Sequence, residues 1–403
     1  MVKLGHYPIQ HSAVAVVRTL GRLGVPTYAV CEDRFAPEGL SRHLEGRFLW
    51  PTTGCEDPAL LLDGLRRIGR RIARPAVAVA TDDEAAVFLA EHAAELGEHF
   101  LLPAVDPSLP RRLASKYGLY ELCRAHGQAA PATLRPASLD ELGDAVGDLR
   151  FPVVVKNSEP WVRLSAPAVT HTTFVSGADD LIRMARRWPA GAGCVIQEYV
   201  PHKVAQDWIV HLYCGADSKV LVGFTGVKVR SWPVDAGVTT FAYVASNPHL
   251  AELAAAFCAR VGYRGVCDLD FRFDFRDGMF KLLDFNPRPG AQFRLFETEA
   301  GIDVVRALHL DLTGRRVPPG QQVDGRRWAV ETLDAAALVA YRRDGRHPRA
   351  PGRSAHTELA WFAADDPLPS LAVTARHTGN VLARIPRGLG RILVRPAAAD
   401  AAR

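Results

Sequence analysis

Short apolar runs alternate with amphipathic segments along the first hundred residues. Helical spacing is present over residues 14–23, 60–73 and 82–97, and apolar runs of strand length cover residues 25–31 and 75–81. The helix at 82 also begins with acidic residues, which helix N-termini favour. Strands that alternate with helices predict a parallel sheet covered by helices. No G-x-G-x-x-G follows the first strand, so the pattern does not indicate a dinucleotide site.

The pattern changes after a proline-rich stretch at residues 101–110. Two strands around a turn at Asp277-Gly278 predict a hairpin over residues 265–275 and 279–287. The other segments in this part are helices predicted at 115–127, 177–188, 250–262 and 301–314, and strands predicted at 151–157, 194–200 and within 207–245.

These changes in pattern predict three parts. They are an N-terminal α/β domain (1–110), a central domain (111–318) and a C-terminal extension (319–403). The extension contains more Ala, Arg, Pro and Gly and fewer motifs, and we expect it to be folded until about residue 395, with a frayed tail. Three roles stay open for the extension: it covers the site, it forms a homodimer, or it completes a core.

Composition excludes several classes of protein. Hydrophobic residues make up 48% and charged residues 23% of 403 residues, values that are typical of a folded chain with more than one core. No apolar run reaches the roughly 18 residues that span a bilayer, and Pro8, Gln10 and His11 interrupt the position of a signal peptide's apolar region. We therefore expect a cytoplasmic protein without a membrane partner. The net charge of +5 comes with no basic block, so nucleic acid is not an expected partner.

Cysteine and lysine usage adds two points. The seven cysteines are scattered and form no C-x-x-C, which argues against a disulfide framework or a structural zinc site and favours reduced, buried or idle thiols. Only seven of the 49 basic residues are lysines. Because arginine is the usual choice in this chain, a lysine at a chemically meaningful place is more informative.

The predicted hairpin carries the strongest chemical signal. Asp284 and Asn286 are two residues apart and so point to one face of their strand, and Asp270 lies on the preceding strand. Their oxygens are suited to Mg²⁺, which takes few protein ligands and leaves room for phosphates and water. Arg288 follows directly and is within reach of a phosphate. The alternative is a solvated polar face of an edge hairpin, but that alternative does not require these side chains to occur together.

The segment GVCDLDFRFDFRDGMFKLLDFNPRPG resembles the metal-binding hairpin of the ATP-grasp superfamily, in which an acid on one strand faces an acid-x-Asn-Pro-Arg on the next. Three earlier segments resemble parts of the same family. SKYGLYELCRAHGQAAPATL is similar to its opening lysine-bearing helix, FPVVVKN to its phosphate-lysine strand and VIQEYVP to its adenine hinge. The order and spacing of the four segments match over roughly residues 112–315. The resemblance implies an ATP-grasp fold of two α+β subdomains, with a lid at about 130–200, preceded by a Rossmann-like domain.

The resemblance also implies roles for individual residues. Lys116 and Lys156 resemble the lysines that hold ATP phosphates. Asp270, Asp284 and Asn286 resemble the Mg²⁺ ligands, with Mn²⁺ as a substitute ion. The remaining positions are Arg288 at the acyl-phosphate step, Asp207 on the ribose side, and Gln197, Glu198, Tyr199 and Val200 at the adenine hinge. Without the resemblance, Lys116, Glu198 and Asp207 would each be interpreted as an ordinary surface residue.

Three further features remain open. Lys228 and Arg230 are predicted to share one strand face. The Pro-x-x-x-Gly turn that follows them resembles the Arg-bearing loop of carboxylate–amine ligases such as the D-aspartate ligase group, which implies that Lys228 or Arg230 contacts a phosphate or a substrate carboxylate; a basic edge strand is the alternative. Gln292 and Arg294 either face a substrate carboxylate or belong to a surface loop. The loop at 158–175 contains no glycine, unlike the flexible lid loop of the family, but offers Ser158, Ser165, Thr170, His171 and Thr172 as hydrogen-bond donors.

The resemblance implies a ligase that activates a carboxylate as an acyl phosphate, couples it to an amine, and releases ADP and phosphate. One alternative is a carbamoyl-phosphate-synthase-like or carboxylase-like enzyme, although no biotin-carrier or amidotransferase segment is evident. The other is a nucleotide-binding protein without turnover, which the glycine-free loop favours. The arginine bias and the lack of carrier segments lead us to expect a role in specialised metabolism.

Overall fold

A computed structural model describes residues 1–7, 9–161, 167–170, 172–188, 193–235, 237–352, 354 and 356–378. The helices are α1 His11–Gly21, α2 Pro58–Ile72, α3 Asp83–Glu91, α4 Ala93–Leu96, α5 Leu109–Ala114, α6 Lys116–Ala125, α7 Leu139–Ala145, α8 Ala178–Ala185, α9 Pro248–Val261, α10 Val304–Leu312 and α11 Glu331–Arg343, and residues 368–378 are also helical. The strands are β1 Tyr28–Cys31, β2 Gly46–Leu49, β3 Ala76–Val77, β4 Phe100–Leu101, β5 Thr133–Leu134, β6 Val153–Asn157, β7 Thr173–Val175, β8 Cys194–Glu198, β9 Ala205–Cys214, β10 Val220–Trp232, β11 Val238–Val244, β12 Gly265–Asp274, β13 Met279–Asn286, β14 Arg327–Ala329 and β15 Thr357–Leu359.

The N-terminal part is a parallel α/β unit, as predicted. β1 pairs in parallel with β2, and β3 pairs in parallel with β4. The first residues of the chain join these pairs, because the Val30 amide donates to the Met1 carbonyl and the Val2 amide donates to the Val79 carbonyl. The predicted strand at 75–81 is shorter than expected and consists of β3 and an isolated parallel bridge between Val2 and Ala80.

A small antiparallel sheet in the order β5-β8-β6-β7 forms a second layer. Its apolar side chains pack with α7 and α8 around Val155, Leu181 and Ile196, all of which are buried. Because β6 and β8 are central strands, the residues at their ends have fixed positions. Lys156 and Gln197 therefore sit on a rigid support.

A seven-stranded sheet in the order β13-β12-β9-β10-β11-β14-β15 forms the main layer. Its pairs are antiparallel except for β14 with β15. One face packs against α9 through Leu250, Phe257 and Leu269, and the other packs against α10 and the N-terminal unit. The predicted C-terminal extension supplies β14 and β15, so its described residues continue this sheet.

The hairpin and the helices around it agree with the sequence patterns. β12 and β13 are antiparallel around a turn in which Gly278 has a φ of 71°. α9 ends at Gly262 in the left-handed conformation, as the helix prediction over 250–262 required. No helix in the described ranges combines the length and the apolar character that crossing a bilayer requires.

The cysteines are less scattered in space than in sequence. Six are buried and Cys55 is exposed. The sulfur atoms of Cys214, Cys258 and Cys267 lie within 4.8 Å of one another, in the core between α9 and the main sheet. Separation along the chain therefore did not predict their distance in the fold.

A buried carboxylate connects the N-terminal unit to the main sheet. Asp303 is fully buried and caps α10 by accepting hydrogen bonds from the amides of Val305 and Arg306. Its other oxygen accepts hydrogen bonds from the Thr19 hydroxyl on α1 and, at 2.6 Å, from the Arg294 guanidinium. One side chain thus holds α1, α10 and the segment after the hairpin together.

Asp303→Ala is expected to lower the free energy of unfolding by about 3–5 kcal/mol, because it leaves the buried Arg294 without its main partner. Asp365→Ala serves as the matched control, since Asp365 forms an exposed ion pair with Arg22 that is worth at most about 1 kcal/mol. Urea denaturation followed by tryptophan fluorescence measures both changes. Equal losses in the two variants would show that Asp303 does not have this connecting role.

Candidate active site

The register of the β12–β13 hairpin brings the predicted oxygen donors together. Asp270 lies opposite Asp284, and Asp268 lies opposite Asn286. Because side chains alternate along a strand, all four point to the same face of the main sheet. The predicted convergence of Asp270, Asp284 and Asn286 is thus present, with Asp268 as a fourth member.

Two lysines reach this face from the neighbouring elements. Lys116, the first residue of α6, forms an ion pair with Asp284. Lys156 extends from β6 and donates to the Gln197 side-chain oxygen at 2.9 Å. Burial and the nearby Lys116 lower the pKa of Lys156 to about 8. A lysine held in this way has no acidic partner in direct contact among the described residues, so it is suited to an incoming anion.

The hinge residues line a pocket of about 240 Å³ next to the two lysines. The Gln197 amide donates to the Thr133 hydroxyl at 3.1 Å. Glu198 accepts hydrogen bonds from Lys281 at 3.1 Å and from Arg276 at 3.2 Å, so its charge is already compensated.

Tyr199 and Val200 complete the hinge wall of this pocket. The Tyr199 ring meets the edge of Phe174 with centroids 5.1 Å apart. The Val200 side chain is buried, and its carbonyl accepts a hydrogen bond from the Arg272 guanidinium at 2.7 Å. All four predicted hinge residues therefore border one cavity.

Arg272 is a central residue that the sequence analysis missed. Besides its bond to Val200, it forms a two-pronged ion pair with Asp207, with distances of 2.6 and 3.0 Å. Burial would raise the pKa of Asp207, but the Arg272 guanidinium lowers it below its usual value. The alternation D-x-D-x-R, which places Arg272 on the face of Asp270, was the signal available in the sequence.

Lys228 and Arg230 have different surroundings. β10 is irregular here, because its register against β11 shifts on both sides of Arg230, while Lys228–Ala242 and Trp232–Val238 keep one common register. Lys228 and Arg230 both border a cavity of about 220 Å³ with Asp207, and their shared strand face stays a prediction. Lys228 lines the cleft with Asp270, and its ammonium group donates to the Gly237 carbonyl at 3.2 Å.

Arg230 is buried and binds a residue of the C-terminal part. Its guanidinium donates to both carboxylate oxygens of Asp334 at 2.8 and 2.6 Å and lies over the Phe241 ring. The structure does not bring Arg230 into the group around Asp270 and Asp284. Its contacts indicate a role in attaching α11 to the sheet.

Arg288 lies between the hairpin and the N-terminal unit. It donates to the Asp83 carboxylate at 2.8 Å and to the Asn286 side-chain oxygen at 3.1 Å. Burial alone would lower the pKa of Arg288, but the carboxylates of Asp83 and Asp268 raise it. Asp83, a second residue not predicted from sequence, comes from the first turn of α3 and thereby joins the two domains at the site.

The two residues after the hairpin motif are both buried, so the surface-loop alternative is wrong. Arg294 binds Asp303 and takes part in the domain connection described above. Gln292 is 4% exposed and lines the cleft. Only Gln292 is therefore placed to meet a substrate.

The loop after β6 falls partly outside the described residues, including Ser165 and His171. Ser158 is buried, its hydroxyl oxygen is 3.2 Å from that of Ser115, and its carbonyl accepts from the Lys116 amide at 2.7 Å. Thr170 and Thr172 line the cleft. The start of the loop thus fixes the N-terminus of α6, whose first residue is Lys116.

The electrostatics of the cleft favour a bound cation between the carboxylates. Burial, together with the neighbouring Asp268 and Asp284, raises the pKa of Asp270 to about 7, although Lys228 opposes this shift. Burial would also raise the pKa of Asp284, but Lys116 lowers it. Carboxylate and amide oxygens in this arrangement fit the preference of Mg²⁺ for oxygen ligands.

Known proteins resemble this chain in sequence and in fold. No family model matches the chain. It is 26% identical over 245 residues to a D-aspartate ligase of Enterococcus faecium (strain Aus0004), an alignment that covers 58% of this chain and 58% of the relative. The chain therefore spans less than two thirds of the length of that curated relative.

Solved structures show the same fold at low sequence identity. An L-amino acid ligase from Bacillus licheniformis is 16% identical with a TM-score of 0.56, covering 77% of this chain and 73% of that one. The biotin carboxylase domain of Hydrogenobacter thermophilus 2-oxoglutarate carboxylase, solved with MgADP and bicarbonate, is 15% identical with a TM-score of 0.58, covering 79% and 70%. The chain has the ATP-grasp fold, as the resemblance implied.

The pKa of Lys156 leads to a test of nucleotide binding. As the pH rises through about 8, Lys156 loses its charge in the free protein, so the affinity for MgADP should fall between about pH 7 and 9. Lys156→Arg keeps its charge over this range, so its affinity should stay nearly constant. Isothermal titration calorimetry at several pH values measures the dissociation constants.

Lys219→Arg is the control for this test, because Lys219 is an exposed lysine outside the cleft and its replacement should leave the pH dependence unchanged. If Lys156→Arg loses affinity with pH as steeply as the unmodified protein does, another group is responsible for the effect.

Proposed function

We propose that this protein is an ATP-dependent carboxylate–amine ligase. The observation that carries the proposal is the convergence of Asp270, Asp284 and Asn286 in one cleft with Lys116 and Lys156. Oxygen donors for a divalent ion, next to cations for phosphates, form the pair of features that phosphoryl transfer needs. The sequence similarity to a D-aspartate ligase supports the amine as the acceptor.

In this proposal the nucleotide lies between the small and the large sheet. Its adenine occupies the pocket beside Glu198 and Val200, and its ribose faces Asp207. Lys156 and Lys116 hold the phosphates, and binding of the phosphates restores the charge of Lys156 that burial disfavours. These contacts position the γ-phosphate beside the hairpin carboxylates.

Asp270, Asp284 and Asn286 would hold Mg²⁺, and Mn²⁺ is an acceptable substitute for these ligands. Bound there, the ion would neutralise charge on the phosphates during transfer. The existing contacts fit this role. Asp284 already balances Lys116, and the Asn286 oxygen faces Arg288, so both side chains are held in the cleft before any ligand binds.

The chemistry consists of two displacements. One carboxylate oxygen of the acid attacks the γ-phosphorus, the bond from that phosphorus to the β–γ bridging oxygen breaks, and ADP leaves. The amine nitrogen then attacks the acyl carbon, inorganic phosphate leaves with the transferred oxygen, and the amine proton passes to water. Arg288 is beside Asn286 and would stabilise the charge of the acyl phosphate.

The cleft has a volume of about 600 Å³ and is bordered by the N-terminal unit, the small sheet and the hairpin. An acyl phosphate hydrolyses in open water, so closure of the small sheet over it would protect the intermediate. Such a reaction needs the ATP supply of the cytoplasm, where we propose that it takes place, on small-molecule substrates. Homodimer formation through the C-terminal part stays part of the proposal.

A carboxylase-like reaction is the second candidate, because a solved structure with bicarbonate shares the fold. In that case bicarbonate would replace the organic acid as the activated carboxylate. A nucleotide-binding protein without turnover is the third. These two candidates and the ligase differ in which compounds must be added before the protein releases ADP.

ADP release from the unmodified protein with ATP and Mg²⁺ is expected to require an organic acid, and hydroxylamine is expected to trap the acyl phosphate as a hydroxamate. Asp284→Asn and Arg288→Met should each lower the rate by about 100-fold or more, as expected when a charge-stabilising group is removed. Asp63→Asn, on the exposed face of α2, is the matched control and should keep full activity.

A coupled assay for ADP and a colorimetric assay for hydroxamate give the two readings across a panel of acids and amines. Release of ADP with bicarbonate alone would favour the carboxylase-like candidate. Nucleotide binding without ADP release from any pair would favour the third candidate.

A further inference from the structure

The cleft continues beyond the hairpin to the N-terminus of α1. Its walls include Lys156 and Asn286 at one end and Gln10, His11 and Ser12 at the other. The second group follows the first strand-like segment of the parallel unit. Ligands bind outside the carboxyl ends of parallel strands in open α/β sheets, so this end of the cleft is a favourable place for one.

The N-terminus of α1 has no anion of its own. The Gln10 side chain makes no capping hydrogen bond, and the first turn contains no acidic residue. The neighbouring helix α3 differs, because the Asp82 carboxylate accepts hydrogen bonds from the amides of Leu4, Gly5 and Ala85. Two helix N-termini thus face the cleft, and one of them is already occupied by a carboxylate from the chain.

Two polar side chains at this place are almost fully buried and have no hydrogen-bond partner within the described ranges. Ser12 is 2% exposed and Gln292 is 4% exposed, and both line the cleft. Gln292 directly precedes the turn Phe293–Leu295, which packs against α1, so it lies on a segment next to the helix that carries Ser12. Because the polar atoms of both side chains are accessible from the cleft, a ligand in the cleft can supply their missing partners.

The charges favour a carboxylate over a phosphate. The N-terminus of an α-helix is equivalent to about half a positive charge. Ser12 and Gln292 are neutral donors, and burial lowers the pKa of the adjacent His11 to about 4, so His11 is neutral as well. Asp82 and Asp83 lie nearby and would oppose a dianion. A single negative charge with two oxygen acceptors matches this set.

We infer that the N-terminus of α1, with Ser12 and Gln292, binds a carboxylate that does not react, carried by one of the substrates. This rests on the proposed ligase function and specifies its substrate class. The substrate is then either an amine that also has a carboxylate, which means an amino acid, or an acid with a second carboxylate. In both cases the α1 end of the cleft anchors the substrate while its reacting group lies at the hairpin.

The variant Ser12→Asp tests the inference because it should raise the stability of the protein and lower its affinity for the carboxylate-bearing substrate. An aspartate in the first turn of α1 would fill the site as Asp82 does at α3, so the melting temperature should rise. The same change should raise the KM for the carboxylate-bearing substrate by about tenfold or more and leave the KM for ATP unchanged. A merely structural role of Ser12 would give a lower melting temperature and no selective change in KM.

Gln292→Glu is the second variant and keeps the inference testable if Ser12→Asp does not fold. It should raise the same KM by repulsion, whereas Gln292→Leu should raise it less. Ala59→Asp is the matched control, because it adds a carboxylate at the exposed second position of α2. Its KM values should equal those of the unmodified protein.

The chemical source of the carboxylate is distinguished with the unmodified full chain, ATP and Mg²⁺. Free amino acids are compared with their C-terminal amides as amines, and dicarboxylic acids are compared with their monoamides as acids. The pair in which amidation raises KM by about tenfold identifies the substrate that carries the group.

Equal KM values for all amides and free acids, or an unchanged KM in both Ser12→Asp and Gln292→Glu, would overturn the inference while leaving the ligase intact. Failure of the ligase proposal itself is distinguishable, because the unmodified protein would then release no ADP with any pair. The melting temperature of the unmodified protein with MgADP gives a reading without turnover: a rise on adding free amino acids or dicarboxylic acids, but not their amides, supports the inference, and no rise with any of them overturns it.

Discussion

Three carboxylates lie on one face of two neighbouring strands, and the rest of the site depends on keeping them there. The register of the hairpin fixes the positions of Asp268, Asp270 and Asp284, so their side chains point to this face of the sheet. Burial, together with repulsion from the neighbouring carboxylates, raises the pKa of Asp270. The protein balances them with cations from other parts of the chain, so the hairpin determines where Lys116, Lys228 and Arg288 must be.

This balance explains why the N-terminal and central parts meet at the site. Lys116 reaches Asp284 from α6, and Arg288 reaches Asp83 from the hairpin. Each contact crosses a boundary between elements that are far apart in sequence. The charged side chains of the cleft therefore also connect distant parts of the chain, and Asp303 adds a further connection between the same parts. A site built in this way is ordered before ligands bind, which reduces the cost of positioning them.

The sequence predicted the parts of this arrangement that follow from local periodicity. The alternation around Asp284 and Asn286 gave their shared face, and the helix and strand patterns gave most of the longer elements of the first 315 residues. They did not give β2, β4, β5, β7, α5 and α7, which are all short. It did not predict the partners that depend on long-range packing, such as Arg272 with Asp207, Arg288 with Asp83 and the three clustered cysteines. The register shifts on both sides of Arg230 were missed because a β-bulge leaves no signal in composition. The strands β14 and β15 are three residues long, too short for a clear period.

The central claim is that the hairpin oxygens bind a divalent ion which contacts the nucleotide phosphates. A crystal of the protein with ADP and Mn²⁺, examined by anomalous diffraction, tests it most directly. We expect an anomalous peak at about 2.0–2.3 Å from oxygens of Asp270, Asp284 and Asn286, with a phosphate oxygen completing the coordination. A manganese peak elsewhere, or ADP bound away from Lys156 with no metal at the hairpin, would contradict the account.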